Sequence, residues 1–174
     1  MATEDGMNVP STTPEGSERH IHAAGGAGGG AGEVDVLLVE DDDGDALIIA
    51  EAFEHYRIRN RLHVVTDGEL AMRFLHGDPP YAEAPRPGLV LLDVNLPRVS
   101  GLDVLAAIKS DPDLLTLPVV MLTSSRAEED ILRSYTLHAN AYVSKPVDFE
   151  HFIDAIRQID DFFLTLVRLP PAKS

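Results

Sequence analysis

Glu40 and Asp41, Asp93, Thr123 and Lys145 share one feature: each stands at the end of a short apolar run. VLLVED closes on the two acids, LVLLD on Asp93, VVMLT on Thr123 and AYVSK on Lys145. Apolar runs this short, bounded by turn residues, read as strands buried on both faces. A charge at the end of such a strand is costly unless something there requires it. Three carboxylates gathered in one place would repel one another and resist ionising together unless a cation joined them. Only oxygen ligands are on offer, since the chain has no cysteine and no histidine adjoins these residues. That donor set favours a hard ion, and Mg²⁺ uses one or two carboxylates together with waters and phosphate oxygens. A hydroxyl and an ammonium beside it suit the outer oxygens of an anion. Carboxylate, Mg²⁺, hydroxyl and ammonium together describe phosphoryl transfer onto an aspartate, with Asp93 as the acceptor.

These residues need a scaffold, and the rest of the chain supplies one. VDVLLV (34–39), RLHVVT (61–66), GLVLL (88–92), LPVVML (117–122) and AYVS (141–144) are predicted strands. Helical spacing follows each, over 46–56, 68–76, 102–110, near 127–138, and from about Asp148 onward. Five short apolar strands alternating with five helices imply an α/β fold with a parallel sheet and helices on both faces. The polar residues then lie at the carboxyl ends of the strands, where open α/β sheets bind ligands. The Pro-rich stretch GDPPYAEAPRPG (77–88) reads as a surface insertion.

Residues 1–33 stand apart. They are rich in Gly, Ala, Ser, Thr and Pro, with almost nothing to bury, and read as a disordered tail ending in a flexible linker. Their glycines are not a phosphate loop, because no Gly-Lys-Ser/Thr follows. His20 and His22 read as solvated. The full chain has 174 residues, with 14 Lys plus Arg against 29 Asp plus Glu, a formal charge of −15. That balance speaks against a nucleic-acid or anionic-membrane surface, both of which need clustered basic residues. No apolar run approaches the ~20 residues of a membrane span, and no apolar leader core is present. The expectation is an acidic, cytoplasmic protein.

VLLVEDD (36–42), LVLLDVNLPRVSG (89–101), VVMLTSS (119–125) and AYVSKP (141–146) resemble the signatures of the response-regulator receiver domain, in order and spacing. The resemblance covers residues 34–169 and leaves a short tail, 170–174. It implies a flavodoxin-like, doubly wound five-stranded parallel sheet of order 2-1-3-4-5. More narrowly, the DVNLPR wording, the insertion before the third strand and the ending FFLTLVRLPP resemble stand-alone regulators of bacteriophytochrome-type histidine kinases. The resemblance implies that Asp93 accepts a phosphoryl group from a sensor histidine kinase. It implies Mg²⁺ held by the side chains of Asp41 and Asp93, by the backbone carbonyl of Asn95, and by Glu40 mainly through water. Lys145 and Thr123 would contact the phosphoryl oxygens, Thr123 drawing its loop inward, and Tyr142 would turn with that loop. The Lys145–Pro146 bond is expected to be cis. Ser124 and Ser125 fall where the family tunes phosphoryl lifetime.

Each residue has an ordinary reading when taken alone. EDDDGD (40–45) could cap a helix and complement its dipole. Thr123 could satisfy backbone, Tyr142 could be sheet packing, and the histidines from His55 to His151 read as solvated or core-edge. What the ordinary readings miss is the coincidence on one sheet edge. In the last helix, Phe149, Phe152, Ile153, Ile156, Ile159, Phe163, Leu166 and Val167 form a core stripe, while Phe162, Leu164 and Leu169 fall largely off it. That second apolar surface predicts a homodimer. The expected protein is a signalling switch rather than a turnover enzyme. Two alternatives are a Mg²⁺-dependent aspartyl-phosphate hydrolase and a degenerate receiver acting as a docking module. Against the first, Asn95 stands where such hydrolases place a second acid; against the second, Asp41, Asp93, Thr123 and Lys145 are all intact.

Overall fold

The computed structural model describes residues 34–55, 60–123 and 135–145, together with 151, 154, 155 and 158. Five parallel strands form one sheet: β1 (Asp35–Val39), β2 (Arg61–Val65), β3 (Leu89–Asp93), β4 (Val119–Thr123) and β5 (Ala141–Ser144). Their order is β2-β1-β3-β4-β5, as expected. Among the described residues three helices are complete: α1 (Asp43–His55), α2 (Gly68–His76) and α3 (Gly101–Ser110). The fourth and fifth predicted helices fall largely outside the described residues. The same holds for Phe162, Leu164 and Leu169, for Ser124 and Ser125, and for the Lys145–Pro146 bond.

β3 and β4 are buried along their whole length, and β1 from Val36 onward. Alternate residues feed two cores. Val36, Leu38, Leu89, Leu91, Val120 and Leu122 pack with Ile49 and Phe53 of α1. Leu37, Val39, Val90, Leu92 and Met121 pack on the other face with Phe74 of α2 and Leu105 and Ile108 of α3. Helices on both faces explain why these strands read as unbroken apolar runs. Because α1 and α2 lie on opposite faces, the winding reverses between β1 and β3, and a crevice opens beyond their carboxyl ends.

The local signals are simple. Asp67 caps α2, its Oδ1 accepting from the Leu70 N–H at 2.9 Å, and Gly77 ends that helix at φ 69°. Ser100 caps α3. The 77–88 stretch, read from sequence as a surface insertion, is partly built into the structure. Tyr81 packs on the Phe74 ring with centroids 5.2 Å apart, and Arg86 donates to the Asp113 carbonyl. Its Pro79–Pro80 bond is cis.

Candidate functional site

Glu40 follows the last residue of β1, and its backbone N–H donates to the Val65 carbonyl at 3.0 Å, tying it to β2. Its side chain is buried, while Asp41 beside it is exposed. Asp93 is itself the last residue of β3, one place further into the strand than the apolar run alone indicates. It is paired in register with Leu122 of β4, and the next β4 residue, Thr123, is fully buried. Lys145 arrives from the end of β5, where its N–H donates to the Thr123 carbonyl at 2.6 Å. Adjacent parallel strands thus deliver to one crevice residues that lie far apart in the chain.

Each of Glu40, Asp41 and Asp93 offers one carboxylate oxygen within 4.8 Å of the other two. The Lys145 ammonium lies 2.5 Å from Glu40 Oε2, 2.8 Å from Asp45 Oδ2 and 3.4 Å from Asp93 Oδ1. Asp93 Oδ1 is buried and has no hydrogen-bond partner among the described residues. Burial pushes the Asp93 carboxyl above its ordinary value, against the pull of Lys145 and the Asn95 backbone amide. Burial likewise pushes Glu40 up to about 7, although Lys145 opposes it. On Lys145 burial favours the neutral form, but the bonds to Asp45 and Glu40 outweigh it and the ammonium is held above its usual range. A pocket of carboxylates with one buried oxygen unsatisfied fits a divalent cation with oxygen preference.

Two close approaches shape the surroundings of Asp93. A Cβ on Gly101 would lie 1.9 Å from the Asp93 carbonyl oxygen, so α3 starts directly against the backbone of Asp93. A Cβ on Gly68 would lie 2.5 Å from Val104 Cγ2, so α2 and α3 meet where only glycine fits. Between them runs the segment carrying Asn95, which is exposed, and Arg98, which sits at φ 64° and donates to the Asp67 carboxylate. Tyr142 is half-buried against the α2–α3 core, opposite Met121 in register.

The structure therefore brings Glu40, Asp41, Asp93 and Lys145 together, sets Thr123 beside them in the sheet, and leaves Tyr142 further along β5. Sequence reasoning missed two interactions around the site, the bond of Asp45 to Lys145 and the pair of Arg98 with Asp67. Asp45 was legible only as a helix-capping acid, although its place in the first turn of α1 was a signal. The Arg98–Asp67 pair joins two loops whose proximity no sequence spacing announces. His63 and His76, expected to be solvated or core-edge, pair with Asp35 at 2.8 Å and Asp111 at 2.9 Å.

The family described as the response regulator receiver domain matches residues 36–157. The chain belongs to that family. It is 42% identical over 137 residues to the response regulator Rcp1 of Synechocystis, an alignment spanning 79% of this chain and 93% of Rcp1. Among solved structures it is similar to the phosphorylated cyanobacterial phytochrome response regulator RcpA, with a TM-score of 0.76 and 40% identity over 80% of this chain and 99% of that one. The Mn²⁺-bound form of Rcp1 gives a TM-score of 0.75 at 40% identity, over 79% of this chain and 99% of that one. The chain is thus a response-regulator receiver of two-component signalling, similar to stand-alone phytochrome response regulators.

Proposed function

We propose that Asp93 accepts a phosphoryl group from the phosphohistidine of a sensor histidine kinase, in a site completed by Mg²⁺. The observation that carries this reading is the Asp93 carboxylate: buried, short of one hydrogen bond, 3.4 Å from an ammonium and grouped with two further acids. An Asp93 oxygen attacks phosphorus as the bond to the imidazole nitrogen breaks, and the imidazole keeps that electron pair. Lys145 and the Thr123 hydroxyl donate to the transferred oxygens. Asp41 and Asp93 would hold the ion through their side chains, Asn95 through its backbone carbonyl and Glu40 through water. When bound, the ion neutralises the charge gathering on the phosphoryl oxygens. The Mn²⁺ seen in Rcp1 and the phosphorylation of RcpA support this assignment by relationship.

The kinase belongs on this reading to the bacteriophytochrome type, and the protein works in the cytoplasm, where phosphohistidine is made from ATP. Residues 34–169 form the receiver domain, between a tail at 1–33 and a short one at 170–174. Output runs through protein contacts as Thr123 and Tyr142 respond to the new charge, with self-association through Phe162, Leu164 and Leu169 as one such contact. The protein acts as a phosphoacceptor and not as a turnover enzyme. Incubation with acetyl phosphate and Mg²⁺, followed by intact-mass measurement, tests the core of this. Wild type gains one phosphoryl group and Asp93→Asn gains none; an equal gain in both would refute it.

A further inference from the structure

Two carboxylates hold the Lys145 ammonium closely, and one of them lies outside the acidic pocket. Glu40 and Asp93 belong to that pocket; Asp45 does not. Asp45 sits in the first turn of α1, where its backbone N–H donates to Asp42 Oδ1 at 2.9 Å. That capping bond fixes the turn, and the Asp45 carboxylate reaches Lys145 at 2.8 Å, closer than Asp93 at 3.4 Å. An ammonium has three N–H donors, and here two are committed to Glu40 and Asp45. The buried oxygen of Asp93 meanwhile goes without a hydrogen bond among the described residues. A tetrahedral anion on Asp93 would have to draw the same ammonium toward itself, and would bring negative charge close to Asp45.

We propose that Asp45 competes with the anion on Asp93 for Lys145, and so limits how tightly the site holds a phosphoryl group. The inference rests on the phosphoryl-acceptor reading above. Asp45 is a positioning residue, since it acts on the anion only through the lysine. Its side chain is 36% exposed, so water screens the competing bond and keeps it weak enough to yield. The ordinary alternative is that Asp45 merely complements the dipole of α1. Asp43, the other acid of that first turn, makes no ion pair with Lys145 among the described residues and provides the matched control.

Full-length wild type, Asp45→Asn, Asp45→Glu and Asp43→Asn are titrated with beryllofluoride in excess Mg²⁺ by calorimetry, and melted without ligand. Losing a partly screened charged partner predicts about fivefold tighter beryllofluoride binding by Asp45→Asn. Asp43→Asn shifts affinity less than about twofold, because it removes the same charge at a distance. Asp45→Glu returns to near the wild-type affinity, its carboxylate again reaching the lysine. Melting separates the helix effect, which the two Asn variants share. Equal affinity in Asp45→Asn and Asp43→Asn, or weaker binding by Asp45→Asn than by wild type, overturns the competition alone. Absence of binding by wild type overturns the phosphoryl-acceptor reading and the competition with it.

Discussion

The Oδ1 atom of Asp93 is buried, accepts no hydrogen bond among the described residues and lies 3.4 Å from the nearest ammonium, which two other acids already engage. A carboxylate so placed strains the fold until a cation or an added group relieves it. Neutral Asn removes the desolvated charge and its repulsion from Asp41, and is therefore expected to stabilise the metal-free protein by about 1–3 kcal/mol at pH 8. Urea denaturation without divalent ions measures this. The pH dependence has a definite sign. In the folded state Glu40 titrates near 7 instead of 4.5, and Asp93 also above its ordinary 3.8, so the native protein binds these protons more tightly than the unfolded chain. Metal-free stability from Glu40 is then greatest below pH 4.5 and falls as pH rises to about 7. Saturating Mg²⁺ should remove much of that fall, and at about 100 times its Kd it adds about 2.7 kcal/mol by mass action. A metal-free stability that rises across this window would contradict the burial argument.

At the scale of elements, the position of Asp93 is set by how closely α3 approaches β3. Since a Cβ on Gly101 would meet the Asp93 carbonyl oxygen at 1.9 Å, the backbone must move to admit a side chain. Gly101→Ala is expected to cost more than about 3 kcal/mol, well above the typical surface substitution, and to slow acetyl-phosphate labelling of what remains folded. Thermal melting and intact mass follow the two effects. The β2–α2 junction makes a milder comparison. Asp67 both caps α2 and accepts from Arg98, and its side chain is 9% exposed. Asp67→Ala should lose about 1–2 kcal/mol by chemical denaturation, as helix caps do. Arg73→Ala should lose no more than about 0.5 kcal/mol, because it breaks only an exposed i,i+4 pair with Glu69.

For the whole molecule the relevant quantity is a bias between states, and on the proposed reading a phosphoryl group on Asp93 has only its differential contacts with which to create one. Couplings of ~1–3 kcal/mol are usual, corresponding to population shifts of roughly 5–150-fold. On that reading the responding groups adjoin the pocket: Lys145, just past β5, is bonded through its backbone to Thr123 at the end of β4, and Tyr142 lies within β5. If self-association through the last helix transmits the change, Leu164→Asp should shift a wild-type dimer to monomer in sedimentation velocity while still accepting one phosphoryl group. A wild type that is strictly monomeric, with and without beryllofluoride, would remove that part of the proposal.

The order of elements and the identity of most pocket residues were legible in the sequence, because both follow from local rules. Apolar runs of strand length alternate with helical spacing, and in a parallel sheet every strand presents its carboxyl end to the same edge. Glu40, Asp41, Asp93, Thr123 and Lys145 could therefore be assigned to one edge before any coordinates. The tertiary structure decided what depends on distances between segments remote in the chain. That Lys145 binds Asp45 more closely than Asp93, that Arg98 reaches Asp67, and that Tyr81 of the insertion seats on Phe74 are outcomes of packing. Charge and periodicity along the chain say which groups arrive at the crevice. How they divide the Lys145 ammonium among themselves is settled only by the angle and spacing at which helices and strands come to rest.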